Sequence, residues 1–394
     1  MKTILYLQSS LATSNMRELD GVRRYADTAD WNLKVVEYDG AARSRFQTAG
    51  GAVTSVKGML SFWRPAGCIV ECGGRPPRFR RTDFARTPCV FLDCHPCDAG
   101  RGALCVWQDE EVVGNAIAHE LLSLGFDDYA YIPWPEAQLS WNRVRCEAFE
   151  KRMLEADRRV QAFVHSSSTM DKVRLLREMS EWVRELPRPC GVLAANDSIA
   201  SIFVDAAAAA GFSVPRDFAV AGVDNDTLLC ESGSVTITSV ETSSMNAGVS
   251  AAELLAGRME GRRDRTCVAV KDFHLHRRAS TRIYKNADTR VVKALEFIRK
   301  RACDGIAPPD VVAEMGCSRR LADMRFRETT GHTILDEIHA VRIERVKDFL
   351  RKGGVTTSFI ADSTGYASVV DLRRVFKRIT GTTMRMYSPR GSRT

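Results

Sequence analysis

Residues 190–226 read CGVLAANDSIASIFVDAAAAAGFSVPRDFAVAGVDND. The apolar runs at 191–194 and 218–223 have the length and composition of strands buried on both faces, and 198–210 between them has helical periodicity. A strand, a helix and a second strand in this order predict a βαβ unit with parallel strands. The stretch therefore indicates an α/β fold.

The same alternation extends over most of the first 285 residues. Further strands are predicted at 3–7, 33–36, 67–70, 89–92 and 129–132, and further helices at 17–28, 111–124, 141–156 and 170–185. These units are enough for two doubly wound parallel sheets. From residue 289 the period becomes helical and stays so. We therefore predict a two-lobed α/β body followed by an all-α domain.

The net charge is concentrated at the end of the chain. The sequence has 57 Lys and Arg against 49 Asp and Glu, a formal charge of +8. Residues 286–394 hold 21 of the basic and 13 of the acidic residues, so the first 285 residues hold 36 of each and are neutral. A neutral body with a basic terminal domain is typical of a nucleic-acid binder that carries a separate sensor.

The composition favours a cytoplasmic protein that does not enter a membrane. No apolar run approaches the roughly 18 residues of a transmembrane helix, and the apolar residues at the N-terminus are too few for a signal peptide. The 12 cysteines have no repeating spacing, which argues against a disulfide framework. One denser group consists of Cys89, Cys94, His95, Cys97 and Cys105. A structural zinc site would normally have a second ligand pair at matching spacing, and none is present, so the group is weak evidence for a zinc or redox site. We predict no metal and no cofactor.

Polar residues follow several of the predicted strands, where ligands bind in doubly wound folds. Asp93, Asn196 and Asp224 each come just after an apolar run. Such side chains can hydrogen-bond sugar hydroxyls, or they can cap the next helix. We favour the cap for Asp109 and Asp197 and a ligand contact for Asp224.

The first 282 residues resemble the effector domain of the lac/gal repressors, which is itself similar to periplasmic sugar-binding proteins. The most specific stretches are ANDSIA at 195–200, AGFSVPRD at 210–217 and AVAGVDND at 219–226, and the match continues with TITSV at 236–240 and RAST at 278–281. The resemblance implies a sugar site that includes Asp93, Arg145, Asn196 and Asp224.

The chemistry of these residue types suits a sugar. Arg145 offers a planar set of donors, and Asp93 and Asp224 offer acceptors for several hydroxyls. Trp141 lies about one helical turn before Arg145, where it can be a stacking wall for the sugar or a half-buried packing residue. The seven histidines are dispersed, and the chain has no HExxH, nucleophile-elbow or phosphate-cradling motif. We therefore predict that the chain is not an enzyme.

From residue 289 one helical unit occurs twice. A helix that starts at 308–310, a turn at 316–317 and a cap at Ser318 lead into an arginine-rich helix. A long helix over 333–351 follows, and the pattern then recurs with a cap at Ser368, 50 residues after the first. Each second helix has arginines at exposed positions and a phenylalanine at an inward one. Two helix-turn-helix units predict DNA binding.

Residues 289–389 strongly resemble the AraC/XylS-type DNA-binding domain. The resemblance rests on GCSRR (316–320), RFRETTG (325–331), IHAVRIERV (338–346), IADSTGY (360–366) and VFKRITG (375–381). The DNA-contacting residues it implies are Arg319, Arg320, Asp323 and Met324 in the first unit and Val369, Val370, Arg373, Arg374 and Lys377 in the second. Arginine can read guanine, valine or methionine can touch a thymine methyl, and Lys377 can grip a phosphate. Arg325 can serve an internal salt bridge instead.

A sugar-binding body joined to this domain resembles the bacterial xylose-operon regulators. The resemblance implies a homodimer that binds double-stranded promoter DNA, responds to D-xylose or a related pentose and activates transcription, with RNA polymerase as a further partner. We expect the effector domain over 1–282, a linker over 283–289 and the DNA-binding domain over 290–390. Two rival functions stay open, a sugar-binding transport or chemoreceptor protein without a DNA role, and an enzyme.

Overall fold

The computed structural model describes residues 1–8, 13–37, 46–47, 53–54, 56–136, 139–167, 170–263, 266–283, 288–352 and 354–387. The chain divides into two compact units, Met1–Ile283 and Tyr284–Thr394. Of the predicted linker at 283–289, residues 284–287 lie outside the described residues. The functional boundaries of the two domains stay a prediction.

The first unit alternates strands with helices along the chain. Its strands are β1 (Lys2–Gln8), β2 (Trp31–Glu37), β3 (Phe46–Gln47), β4 (Val53–Thr54), β5 (Gly67–Glu71), β6 (Cys89–Leu92), β7 (Leu104–Gln108), β8 (Asp128–Ile132), β9 (Arg159–Ala162), β10 (Cys190–Ala194), β11 (Phe218–Val223), β12 (Thr238–Thr242), β13 (Cys267–Val270) and β14 (Phe273–His276). Its helices are α1 (Thr13–Thr28), α2 (Val56–Trp63), α3 (Pro96–Ala99), α4 (Glu110–Leu122), α5 (Ser140–Glu155), α6 (Lys172–Glu185), α7 (Asp197–Ala209), α8 (Thr227–Ser232) and α9 (Ser244–Met259).

The strands form one large sheet in each of two lobes. The first-lobe order is β13-β7-β6-β5-β1-β2, and the second-lobe order is β14-β12-β11-β10-β8-β9. Within these two sheets the paired strands are parallel except at the edge, where β14 runs antiparallel to β12. The short strands β3 and β4 pair antiparallel in a separate two-stranded sheet. β5, β10 and β11 are buried along their whole length, which is typical of parallel strands in sheets covered on both faces. The predicted class, a two-lobed α/β body of doubly wound sheets, is confirmed.

The chain passes between the lobes after β7, after β12 and after β13. Helix α4 then packs into the core of the second lobe, and α9 packs back into the core of the first. Two glycines let α9 lie very close to α1. A Cβ atom at Gly21 would lie 2.0 Å from the carbonyl oxygen of Met245, and a Cβ atom at Gly248 would lie 2.0 Å from the carbonyl oxygen of Glu18. The first crossover places Asp109 and Glu110 at the joint between the lobes.

The second unit is helical in its described part. Its helices are α10 (Thr289–Arg301), α11 (Pro308–Met315), α12 (Arg319–Thr330), α13 (Ile334–Lys352), α14 (Thr357–Ser363), α15 (Val369–Thr380) and α16 (Met384–Tyr387). The long α13 serves two small cores, because its Ile338 packs with α10, α11 and α12 while its Val346 packs with α14 and α15. The predicted all-α domain is confirmed. Across the described ranges of the chain, no helix combines the length and the apolar composition needed to span a membrane.

Candidate functional site

The cleft between the lobes gathers polar side chains from the carboxyl ends of both sheets. Asp93 follows β6 and Glu110 follows β7 in the chain, while Asn196 follows β10 and Asp224 follows β11. Parallel strands end at the same edge of a sheet, which is where doubly wound folds bind ligands. Asp93, Glu110 and Asp224 are close enough to interact electrostatically with one another and with Arg145.

Arg145 is the most buried of the predicted sugar contacts. It lies on α5 with its side chain 4% exposed, and its Nε donates to Glu110 Oε2 at 2.8 Å. Nη2 donates to the same carboxylate oxygen, and Nη1 donates to the carbonyl oxygen of Ala195 at the end of β10. The guanidinium is therefore held by the first crossover on one side and by the second-lobe sheet on the other.

Several carboxyl groups around Arg145 are easier to protonate than usual. Burial raises the pKa of Asp93 to about 7, and the nearby carboxylates of Glu71, Glu110 and Asp224 add to the rise while Arg145 opposes it. Burial also raises the pKa of Glu110 and of Asp224, again against the effect of Arg145. Near neutral pH, Asp93 can therefore either accept a hydrogen bond as a carboxylate or donate one as an acid.

A pocket of about 230 Å³ opens beside this group. It is lined by Gly74, Asp93, His95, Trp107, Gln108, Asp109, Glu110, Glu111, Ser140, Trp141 and Val144. Of the five predicted sugar contacts, Asp93 and Trp141 belong to this lining, whereas Arg145, Asn196 and Asp224 do not. Arg145 reaches the wall of the pocket indirectly, through Glu110 and through the Trp141 ring.

Trp141 is a half-buried packing residue that also lines the pocket, and its role as a stacking wall for a sugar stays a prediction. Its ring lines the pocket, and the Arg145 guanidinium carbon lies 4.9 Å from the ring centroid. The same ring packs against the first lobe, since a Cβ on Gly74 would lie 2.6 Å from Trp141 Cδ1. Gly74 has a φ of +68°, so the close approach and the backbone conformation both favour glycine there.

Asn196 caps a helix, whereas the sequence predicted this role for the neighbouring Asp197. The Asn196 side chain is the N-cap of α7 and accepts from the N–H of Ile199 at 3.1 Å. The prediction that Asp197 is the cap is wrong, because α7 starts at Asp197 itself. The buried Asp197 carboxylate instead accepts from the N–H of Asp226 at 2.7 Å, and so fixes the loop after β11. The predicted cap at Asp109 is confirmed by its contact with the N–H of Val112 at 3.3 Å. A sugar contact by Asn196 stays a prediction.

Two residues of the cleft were not among the predicted contacts. Glu110 holds Arg145, and Arg17 on α1 donates to the backbone carbonyl of Asp224 at 3.3 Å. The acidic run at 109–111 directly after β7 was the available signal for Glu110, but it equally suits the first turn of a helix. Nothing in the pattern of α1 distinguishes Arg17 from a surface arginine.

The denser cysteine group does not converge on one point. Cys89 lies opposite Cys68 between β6 and β5, and Cys105 Sγ lies 3.1 Å from Cys267 Sγ between β7 and β13. His95 Nδ1 lies 2.8 Å from Cys97 Sγ at the start of α3. Over the residues that the structure describes, no set of three or more His, Cys, Asp or Glu side chains is placed to hold a metal ion.

The two helix-turn-helix units repeat each other at the level of single hydrogen bonds. Ser318 Oγ accepts from the N–H of Leu321 at 3.4 Å, and Ser368 Oγ accepts from that of Asp371 at 3.1 Å. At the other end of each helix, Thr330 Oγ1 donates to the carbonyl oxygen of Phe326 at 2.7 Å, and Thr380 Oγ1 donates to the carbonyl oxygen of Phe376 at 2.8 Å. Both helices then end at a left-handed glycine, Gly331 or Gly381. Phe326 and Phe376 are fully buried, as the sequence predicted.

The predicted DNA contacts lie on the first turns and outer faces of α12 and α15. Seven of them have exposed side chains, namely Arg319, Arg320, Met324, Val370, Arg373, Arg374 and Lys377. Asp323 pairs with Arg319 at 2.8 Å within its helix, and Val369 is half-buried against the second core. The internal salt bridge considered for Arg325 is present, with Asp288 as its partner.

Two family models match the chain. A periplasmic binding protein-like domain matches residues 118–281, and a helix-turn-helix domain matches residues 311–390. The first match lies mainly in the second lobe of the α/β body. The second begins within α11 and covers the rest of both helix-turn-helix units.

Curated relatives include xylose operon regulatory proteins. That of Haemophilus influenzae is 27% identical over 243 residues, which are 60% of this chain and 62% of that protein. That of Escherichia coli K12 is 27% identical over 282 residues, which are 70% of this chain and 71% of that protein. An AraC-like transcription regulator of Streptomyces lividans is 33% identical over 95 residues, 24% of this chain and 31% of that protein. These relatives are regulators of transcription rather than enzymes.

Solved structures support the fold. The xylose-binding transcription activator xylR matches with a TM-score of 0.60 and 22% identity, over 98% of this chain and 97% of its own. The lac repressor dimer bound to operator and the anti-inducer ONPF matches with a TM-score of 0.58 and 17% identity, over 71% of this chain and 94% of its own. The chain therefore combines a periplasmic binding protein-like domain with a helix-turn-helix domain, and it is similar to the xylose operon regulatory proteins over 60–70% of its length.

Proposed function

We propose that the chain binds promoter DNA through its two helix-turn-helix units and changes its affinity for that DNA when a monosaccharide binds between the lobes. The observation that carries the proposal is the presence in one chain of the repeated unit at Ser318 and Ser368 and of a polar cleft built around the buried Arg145. The helix-turn-helix domain would bind the promoter, and the cleft would bind the ligand that changes this binding.

D-xylose is the first candidate for the sugar. The relatives that match over most of their length are named for the xylose operon. A pocket of about 230 Å³ is smaller than the roughly 300–1,000 Å³ of drug-sized ligand sites, which favours a monosaccharide over an oligosaccharide. In the pocket lining, Asp93 supplies an acceptor and Trp141 an apolar face. Arg145 and Asp224 lie outside this lining but interact electrostatically with Asp93 and Glu110, and they would supply donors and a further acceptor. A related pentose fits the same chemistry.

The two lobes contribute different parts of the proposed site. Asp93 belongs to the first lobe, while Arg145, Asn196 and Asp224 belong to the second. A sugar that touches both sets stabilises the closed arrangement of the lobes over an open one. It can move that equilibrium only by the difference between its affinities for the two states. Closure would then change how the subunits of a homodimer present their recognition helices to DNA.

The DNA contacts divide by chemistry. Arg320 and Arg373 can form bidentate hydrogen bonds with guanine, and Met324 and Val370 can contact thymine methyl groups. Lys377 would set the register on a phosphate without reading sequence. We further propose that the regulator activates transcription in the cytoplasm, with RNA polymerase as a partner at the promoter.

A thermal-shift screen of the purified chain against pentoses and hexoses tests the sugar proposal. A sugar present at one hundred times its dissociation constant should stabilise the folded chain by about 2.7 kcal/mol. We expect a rise in melting temperature with D-xylose that is lost in Asp224→Asn and kept in Asp205→Asn, a control at an exposed site on α7. No shift with any sugar would refute the sugar proposal and leave the DNA proposal to its own test.

A further inference from the structure

One arginine of the first lobe reaches the second-lobe loop that carries Asp224. The Nη1 of Arg17 donates to the carbonyl oxygen of Asp224 at 3.3 Å and lies 3.1 Å from Glu241 Oε1. The Arg17 and Glu241 side chains are only 24% and 31% exposed, so water screens this pair less than it screens an ordinary surface ion pair. Arg17 therefore joins the two lobes at one of the proposed sugar contacts.

The loop that Arg17 holds has an unfavourable backbone. Asp224 has a φ of +99° and Asn225 a φ of +47°, both in the region that favours glycine. Such a conformation persists only where neighbouring groups hold it in place. On the second-lobe side, the N–H of Asn225 donates to Ser239 Oγ at 3.0 Å, and Arg278 Nη2 donates to Asn225 Oδ1 at 2.6 Å.

Glu241 is fixed in the second lobe and presents one oxygen to the first. Its Oε2 lies 2.7 Å from His276 Nε2 and accepts from Asn225 Nδ2 at 3.2 Å, while its Oε1 is the atom that faces Arg17. The same glutamate thus contacts the strained loop and the arginine that holds this loop from across the cleft. The geometry makes the loop sensitive to whether Arg17 is present.

We infer that Arg17 is a positioning residue that couples lobe closure to sugar binding. In the closed arrangement it holds the carbonyl of Asp224, and this keeps the Asp224 carboxylate aimed at the sugar. The inference rests on the proposed sugar site. A second ion pair between the lobes, Arg75 with Glu136 at 2.7 Å, does not contact the Asp224 loop and has no such role.

The first arm of the test needs no sugar. Hydrogen–deuterium exchange of the full chain should show faster exchange of the amides at 224–226 in Arg17→Ala, by roughly tenfold, and no change in Arg23→Ala. Arg23 is a suitable control because it lies on the same helix and pairs with Asp20 at 3.9 Å within the first lobe. Unchanged exchange at 224–226 in Arg17→Ala would overturn the positioning role, whatever the sugar results.

The second arm measures sugar binding by stopped-flow tryptophan fluorescence with D-xylose, or with the sugar that stabilises the wild type. Arg17→Ala and Glu241→Gln should each dissociate roughly tenfold faster, with association nearly unchanged, and the double variant should be no worse than either. Arg17→Lys should recover part of the loss, and it replaces Arg17→Ala if the alanine variant does not fold. Equal dissociation rates in wild type and Arg17 variants would overturn the coupling. A wild type that binds no sugar would instead refute the proposed function.

Discussion

Replacing Glu110 with glutamine removes the carboxylate that pairs with Arg145 but keeps the size of the side chain. Both side chains are nearly inaccessible to water, at 11% and 4% exposure. Removing one partner of a buried ion pair typically costs about 3–5 kcal/mol, because the other charge stays buried without compensation. Asp93 and Asp224 remain near Arg145 and compensate part of the charge, so we expect the low end, about 3 kcal/mol.

Helix α5 offers a matched control. Arg143 pairs with Glu147 at 2.9 Å, but these side chains are 52% and 59% exposed, so Glu147→Gln should cost no more than about 0.5 kcal/mol. All six tryptophans lie before residue 183, and their fluorescence during urea unfolding therefore reports on the α/β unit alone. A loss in Glu110→Gln as small as that in Glu147→Gln would refute the view that Glu110 and Arg145 form the buried centre of the cleft.

Three further predictions concern pH and DNA recognition. Burial raises the pKa of Asp93 to about 7, and its carboxylate is a better hydrogen-bond acceptor than its acid form. The dissociation constant of the sugar, measured by calorimetry, should therefore be roughly tenfold higher at pH 6 than at pH 8. The Asp93→Asn variant should lose this pH dependence. Burial raises the pKa of Asp197 to about 7 in the folded protein, so its ionisation destabilises the fold as pH rises from about 4 to 7. Asp197→Asn should therefore melt at a higher temperature than wild type at pH 8 but not at pH 5, and an equal gain at both would contradict this. In fluorescence anisotropy, Arg373→Ala should lose about 1–3 kcal/mol of discrimination between specific and unrelated duplexes, whereas Lys377→Ala should weaken both and lower the salt slope by about one.

The sequence predicted those parts of the fold that depend on local patterns. Central strands such as β10 and β11 are continuous apolar runs because both faces of the sheet are covered, and a run of this kind is visible without any tertiary information. The edge strand β9 is largely exposed and lacks that pattern, so it was not predicted. The 50-residue repeat was visible because caps, glycines and buried phenylalanines recur at fixed spacing.

The cleft was only partly predictable, because its contacts join distant segments. The partners Arg145 and Glu110 are 35 residues apart, and Arg17 and Asp224 are 207 apart, so no local pattern links them. The choice between Asn196 and Asp197 as a helix cap depended on where α7 begins, and a shift of one residue exchanges their roles. Residue types at the carboxyl ends of strands indicated where polar side chains gather in the cleft, but tertiary packing decided which side chains contact each other.

We propose above all that one chain recognises a DNA sequence and that a sugar changes its affinity for that sequence. The most direct measurement selects binding sites from random duplexes with the purified chain, and then titrates the selected duplex and an unrelated one at fixed salt, with and without D-xylose. We expect one enriched sequence, and a change in its dissociation constant on addition of the sugar that the unrelated duplex does not show. A selection without any enriched sequence, or an affinity for the enriched duplex that no sugar in the panel changes, would contradict the account.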